Sequence, residues 1–92
     1  MPTFAIIAHD RADAGTLRAE TRPRHLDHLR SIEGQIVAVG PFLSESEQPV
    51  GSIILAHFDD LAAARAFAAA DPYAEAGLFE SVTVAPWKQV FP

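Results

Sequence analysis

Residues 3–9 (TFAIIAH) and 50–58 (VGSIILAHF) form two short runs in which both alternating sets of positions are apolar. Successive side chains of a strand point to opposite faces, so Phe4, Ile6 and Ala8 would line one face and Ala5 and Ile7 the other. In the second run Ile54, Ala56 and Phe58 oppose Ile53 and Leu55 in the same way. A sheet face that meets water does not carry such a set, so both faces must be covered. The order of elements along the chain puts both helices on one face of the sheet. The other face calls for a second copy, and a homodimer joining two sheets face to face is expected.

The remaining segments fit around these two strands. From Thr16 to Glu33 the pattern is helical but interrupted by Pro23, which fits the first turn of a helix better than its interior. A short first piece and a better helix starting near Pro23 are therefore expected, with Gly34 as its C-terminal cap. Gln35 to Val39 reads as a strand broken by Gly40-Pro41, and residues 44–49 (SESEQP) as a polar loop that could act as a flap. Asp59 or Asp60 can cap an alanine-rich helix from about Leu61 to Ala70, packed through Ala63, Ala64, Phe67 and Ala70. Asp71-Pro72-Tyr73 opens a short turn to Gly77, and Leu78 to Ala85 supplies the last strand. The order β-α-β-β-α-β is that of the α+β, ferredoxin-like split βαβ arrangement: a four-stranded antiparallel sheet with both helices on one face.

Composition removes several classes of function. With 12 acidic residues, 7 basic ones and a net charge of −5, the chain has no basic stripe for DNA or RNA. It contains no cysteine, which excludes disulfides, a thiol nucleophile and cysteine-ligated metal centres. No apolar run approaches the roughly 20 residues that span a bilayer, and no signal-peptide pattern opens the sequence, so no membrane partner and a cytoplasmic location are expected.

On the second helical piece, 100° per residue places His25 among Leu26, Leu29 and Ile32, with Arg24, Asp27 and Arg30 pointing outward. A buried imidazole needs a hydrogen-bond partner. A backbone carbonyl would make it a structural histidine; Asp71, at the end of the neighbouring helix, would fix its tautomer and raise its basicity, giving a base and its orienter without a nucleophile. Asp71 followed by proline also reads as a helix cap, and the spacing alone leaves both roles open. His25 and His28 lie three residues apart but lack a third ligand, so no metal is expected. His9 and His57 fit surface or edge positions, and neither a phosphate loop nor a nucleophile elbow is present.

Arg22-Pro23-Arg24-His25-Leu26, Gly40-Pro41, Asp71-Pro72-Tyr73, Ala76-Gly77-Leu78-Phe79 and Pro86-Trp87, in this order, resemble the YCII-related (YciI-like) proteins over nearly the whole chain. The resemblance implies a dimeric α+β barrel and a site built around a His–Asp pair, which here falls on His25 and Asp71. Most members of that family have no assigned activity, and a few resemble enzymes of aromatic catabolism, including one that removes chloride from a chlorinated hydroxyquinol. The implied chemistry is cofactor-free acid–base catalysis, lyase- or isomerase-like, on a small cyclic or phenolic acid, with His25 as general base. Gly40, Pro41, Tyr73 and Ser81, beside the motif pieces, are expected to line the pocket and bind this small-molecule ligand; Arg24 is either solvated or substrate-facing. The alternatives are a non-catalytic binding or sensor module on the same scaffold, and a structural adaptor in which the pair is internal and no cavity exists.

Overall fold

A computed structural model describes residues Met1–Pro92. Four strands, β1 (Thr3–Asp10), β2 (Ile36–Leu43), β3 (Pro49–His57) and β4 (Phe79–Pro86), form one antiparallel sheet in the order β2-β3-β1-β4. Helix α1 (Leu17–Arg30) connects β1 to β2; α2 (Leu61–Ala69) and the single turn α3 (Pro72–Glu75) connect β3 to β4. This is the ferredoxin-like arrangement, with the two doubly apolar strands, β1 and β3, in the centre.

Directly paired residues share a face of the sheet. The pairs Phe4/Ala56, Ile6/Ile54 and Ile6/Val84 put one apolar set under the helices. There Phe4, Ile6, Ile54, Ala56 and Phe58 pack with Leu29 of α1 and Ala64 and Ala68 of α2. Burying a side chain of this size contributes on the order of 1.5 to 3 kcal/mol, so these contacts hold both helices to the sheet. The opposite face carries Ala5, Ile7, Ile53, Leu55 and Phe42, and no element of the chain lies over it. Gly51 sits on this face beneath Phe42, and a Cβ there would overlap the Phe42 ring and the Ala8 carbonyl.

Several sequence expectations are corrected. Pro23 does not start a helix; it is the seventh residue of a continuous α1, on the solvent side. The bond it cannot donate leaves the Ala19 carbonyl to water, while burial of Thr21, His25 and Leu29 on the other side keeps the helix intact. The helix ends at Arg30, is capped by Ser31 and passes into a 3₁₀ turn, Glu33–Gln35, that contains Gly34. Gly40-Pro41 does not break β2, because an edge strand tolerates a proline whose missing N–H would face outward. Ala70 is the exposed C-cap of α2, and Ala68, one turn beyond Ala64, takes its place in the core. Asp60 caps α2, its Oδ1 accepting from the Ala63 N–H at 2.8 Å.

A fifth correction concerns β4. His9 pairs with Ser81 but Asp10 with Phe79, so Glu80 is an extra residue in a bulge. Phe79 is thereby turned to the helix side, where it meets Tyr73 edge-on at 5.9 Å. Ser81 shares the uncovered face with His9 and is exposed.

Candidate active site

Thr21, His25 and Leu29 recur every fourth residue of α1 and form its buried stripe. The turn Asp71-Pro72-Tyr73 lies against this stripe. There the His25 Nδ1 is 2.9 Å from Oδ1 and 3.0 Å from Oδ2 of Asp71. Oδ1 also accepts from the Tyr73 N–H at 2.9 Å, so one carboxylate caps α3 and holds the imidazole. The two expected roles of Asp71 are not alternatives. His25 is 6% exposed and Asp71 3%, so the pair is shielded from bulk water. With an ionised carboxylate at Nδ1, that nitrogen carries the proton and Nε2 is left as the acceptor.

Tyr73 stacks on His25 with ring centroids 4.0 Å apart and planes inclined by 18°. The Arg18 guanidinium lies 4.8 Å from the Tyr73 ring centre. Arg18 itself is fixed: its Nε and Nη2 donate to the two oxygens of Asp10 at 2.7 Å each, and Nη2 also donates to Ser52 Oγ at 3.1 Å. Burial works against the Arg18 charge, but the Asp10 carboxylate outweighs it and raises the guanidinium above its ordinary value. Burial also raises the Tyr73 phenol above its ordinary 10.0, against the opposing pull of Arg18 and Arg22.

These groups border a cavity of about 650 Å³ between α1 and the β2–β3 edge of the sheet. From α1 it is lined by Arg18, Arg22, His25, Leu26 and Leu29; from the sheet by Val39, Gly40, Pro41, Pro49 and Ser52; and from α3 by Tyr73. A volume of this size suits a small molecule. Of the residues expected from sequence, the structure gathers His25, Gly40, Pro41 and Tyr73 at the cavity and places Asp71 directly behind His25. Ser81 is not among them: in the unbroken register from Val84 opposite Ile6 to Ser81 opposite His9 it falls on the other face of the sheet. Arg24 is exposed and outside the cavity.

The sequence reading missed Asp10, Arg18, Arg22 and Ser52. A signal existed: Arg18, Arg22 and His25 follow an i, i+4, i+7 spacing that aligns them on one helix face. Ser52 likewise interrupts an alternation that continues as Ile54 and Ala56. The remaining histidines have structural contacts. His28 donates from Nε2 to the Phe67 carbonyl at 2.8 Å and stacks on the Phe67 ring, joining α1 to α2. Thr3 Oγ1 and His57 Nδ1 lie 2.8 Å apart, and His9 meets Phe42 edge-on at 4.8 Å. No group of three or more potential ligands is gathered for a metal, and no helix is long and apolar enough to cross a membrane.

Comparison with known proteins places this geometry in a family. A family model described as a YCII-related domain matches residues 2–88. The chain is 41% identical over 96 residues to Protein YciI of Escherichia coli, with 96% of this chain and 98% of the relative covered. It is 35% identical, with the same coverage, to an uncharacterized protein of Haemophilus influenzae. Among solved structures, 5-chloro-2-hydroxyhydroquinone dehydrochlorinase from Burkholderia phenoliruptrix, in complex with 2,5-dihydroxybenzoquinone, is similar with a TM-score of 0.86 and 26% identity over 94% of this chain and 93% of that one. An antibiotic biosynthesis monooxygenase shares the fold at a TM-score of 0.58 and 14% identity, covering 98% of this chain and 99% of its own.

Proposed function

The chain belongs to the YCII-related family, and we propose that it is a cofactor-free enzyme in which His25 acts as general base and acid on a small cyclic or phenolic acid. The observation that carries this reading is the shielded His25–Asp71 pair at the wall of a cavity, with Nδ1 committed to the carboxylate. Nε2 takes a proton from an acidic O–H or C–H of the ligand, and Asp71 stabilises the imidazolium that forms. If the electron pair released into the ligand expels a leaving group such as chloride, the outcome is elimination. If the proton is returned to a different atom, it is isomerisation. Atoms and charge balance in both cases without an oxidant or reductant. The similarity to a dehydrochlorinase favours elimination as the first reaction to test.

The cavity argues against a purely structural adaptor, which requires none. We also infer that two copies of the chain join through the uncovered sheet face, whose apolar residues otherwise meet water.

The test is chloride release from 5-chloro-2-hydroxyhydroquinone and related chlorinated phenols, with nitrogen NMR of the imidazole as an independent readout. Wild type is expected to turn over at least one of them, and His25→Asn to lose about 100-fold or more, as removal of a general base does. Asp71→Asn should disturb the His25 tautomer in the NMR spectrum and slow turnover with it. Full activity in His25→Asn would overturn the reading. Binding across the panel without turnover would instead favour a sensor module.

A further inference from the structure

Charge is distributed unevenly between this molecule and its cavity. The chain has 12 acidic residues and 7 basic ones, yet none of the 15 residues lining the cavity is Asp or Glu, while two are arginines. Asp10 and Asp71 stand behind the wall, each occupied by a cationic or protonated partner: Asp10 by Arg18 and Asp71 by His25.

The arginines of α1 differ in what they hold. Arg18 donates to both Asp10 oxygens and to Ser52, and its charge is matched within the protein. Arg30, further along the helix and outside this cavity, is paired with Asp27 at 2.7 Å. Arg22 lies one turn from Arg18 and three residues before His25, borders the same cavity, and has no hydrogen-bond or ion-pair partner. Its guanidinium is a cation without a counter-charge, bordering a cavity whose apolar part of the wall includes Leu26, Leu29, Val39 and Pro41.

We propose that Arg22 is the specificity-determining residue of this cavity and that it selects ligands bearing a delocalised oxyanion, a carboxylate or an ionised enol or phenol, on a small apolar frame. The planar fork of a guanidinium matches such an anion, and the apolar wall takes the frame. An anion arriving from solvent meets a molecule of net charge −5, so attraction must come from the site itself. The assignment deepens the acid–base reading by naming the ligand class that Arg22 would present to His25, but capture and turnover are separate events and are read separately.

The test uses 2,5-dihydroxybenzoquinone, which is ionised near neutral pH, and its uncharged dimethyl ether, titrated calorimetrically into wild type, Arg22→Gln, Arg24→Gln and His25→Asn. Arg24 is exposed and outside the cavity, so Arg24→Gln makes the same change in net charge without touching the site. Arg22→Gln is expected to weaken binding of the anion about five- to tenfold at low salt, given a charge-assisted contact that is partly solvated. Arg24→Gln should change it by less than about twofold, and the difference between the two variants should shrink as salt is added. The dimethyl ether should bind both arginine variants and wild type alike. Equal losses in the two arginine variants, equal affinity of wild type for the anion and its ether, or no binding of the anion at millimolar concentration would overturn the proposal. His25→Asn that binds the anion but retains full turnover removes the acid–base reading and leaves the Arg22 assignment standing.

Discussion

His25 could be located from sequence because its neighbours Leu26 and Leu29 fix the orientation of the helix. Its partner Asp71 could be named only as a candidate from the residues themselves, because Asp71-Pro72 is explained equally well by a local cap, and the packing of α3 on α1 is what shows one carboxylate doing both. Asp10 and Arg18 are eight residues apart across a turn, and nothing in that separation announces a bidentate pair. Tyr73, the only tyrosine, offers a direct measurement of the site's electrostatics. Burial raises its phenol above 10.0 despite Arg18 and Arg22, so the unfolded chain loses this proton first. The associated stability is fully present below pH 10.0 and is lost as pH rises from there through the folded value. Phenolate absorbance should therefore appear with a midpoint above 10.0 while the protein remains folded, and Arg18→Ala should move the midpoint higher still. A midpoint at or below the ordinary value in the folded protein would contradict this account.

At the scale of elements, hydrophobic patterning was enough to find every strand and both main helices. What it missed came from edges and irregularities. Gly40-Pro41 is read as a stop unless β2 is known to be an edge, and the Glu80 bulge puts Phe79 and Ser81, two residues apart, on opposite faces, so counting inward from Phe79 misplaces Ser81. Pro23 was misread because propensity favours a helix start, whereas burial on the opposite side of α1 carries the helix through it. The cost is still present in the folded protein. Pro23→Ala restores a backbone donor for the Ala19 carbonyl, and even after the added freedom of the unfolded chain is subtracted it should stabilise the fold by about 1 kcal/mol. Thermal unfolding would show this as a higher midpoint; a lower one would mean that the proline ring contributes packing not captured by its exposed position.

For the whole molecule, the doubly apolar central strands that first suggested a second copy remain the strongest argument for one. Ile53 is 36% exposed beside Leu55 and Ile7 on the uncovered face, in a chain whose helices are both used on the other. Sedimentation equilibrium at micromolar concentration should give twice the chain mass. Ile53→Glu should yield monomers, since a carboxylate there would have to be desolvated on association. A monomeric wild type would count against the face-to-face assembly.

One consequence follows from how the site is divided among elements. The basic side chains that border the cavity, Arg18, Arg22 and His25, all ride on α1, whereas the residues that hold Arg18 and His25 in place, Asp10, Ser52 and Asp71, come from β1, β3 and the start of α3. The cavity positions of α1 without such ties, Ala19 and Arg22, can change without breaking a fastening. Such a scaffold is evolvable: a few substitutions along one helix can reshape the cavity while the His25–Asp71 pair behind it stays in register, so members of one family can diverge in their pockets long before they diverge in shape.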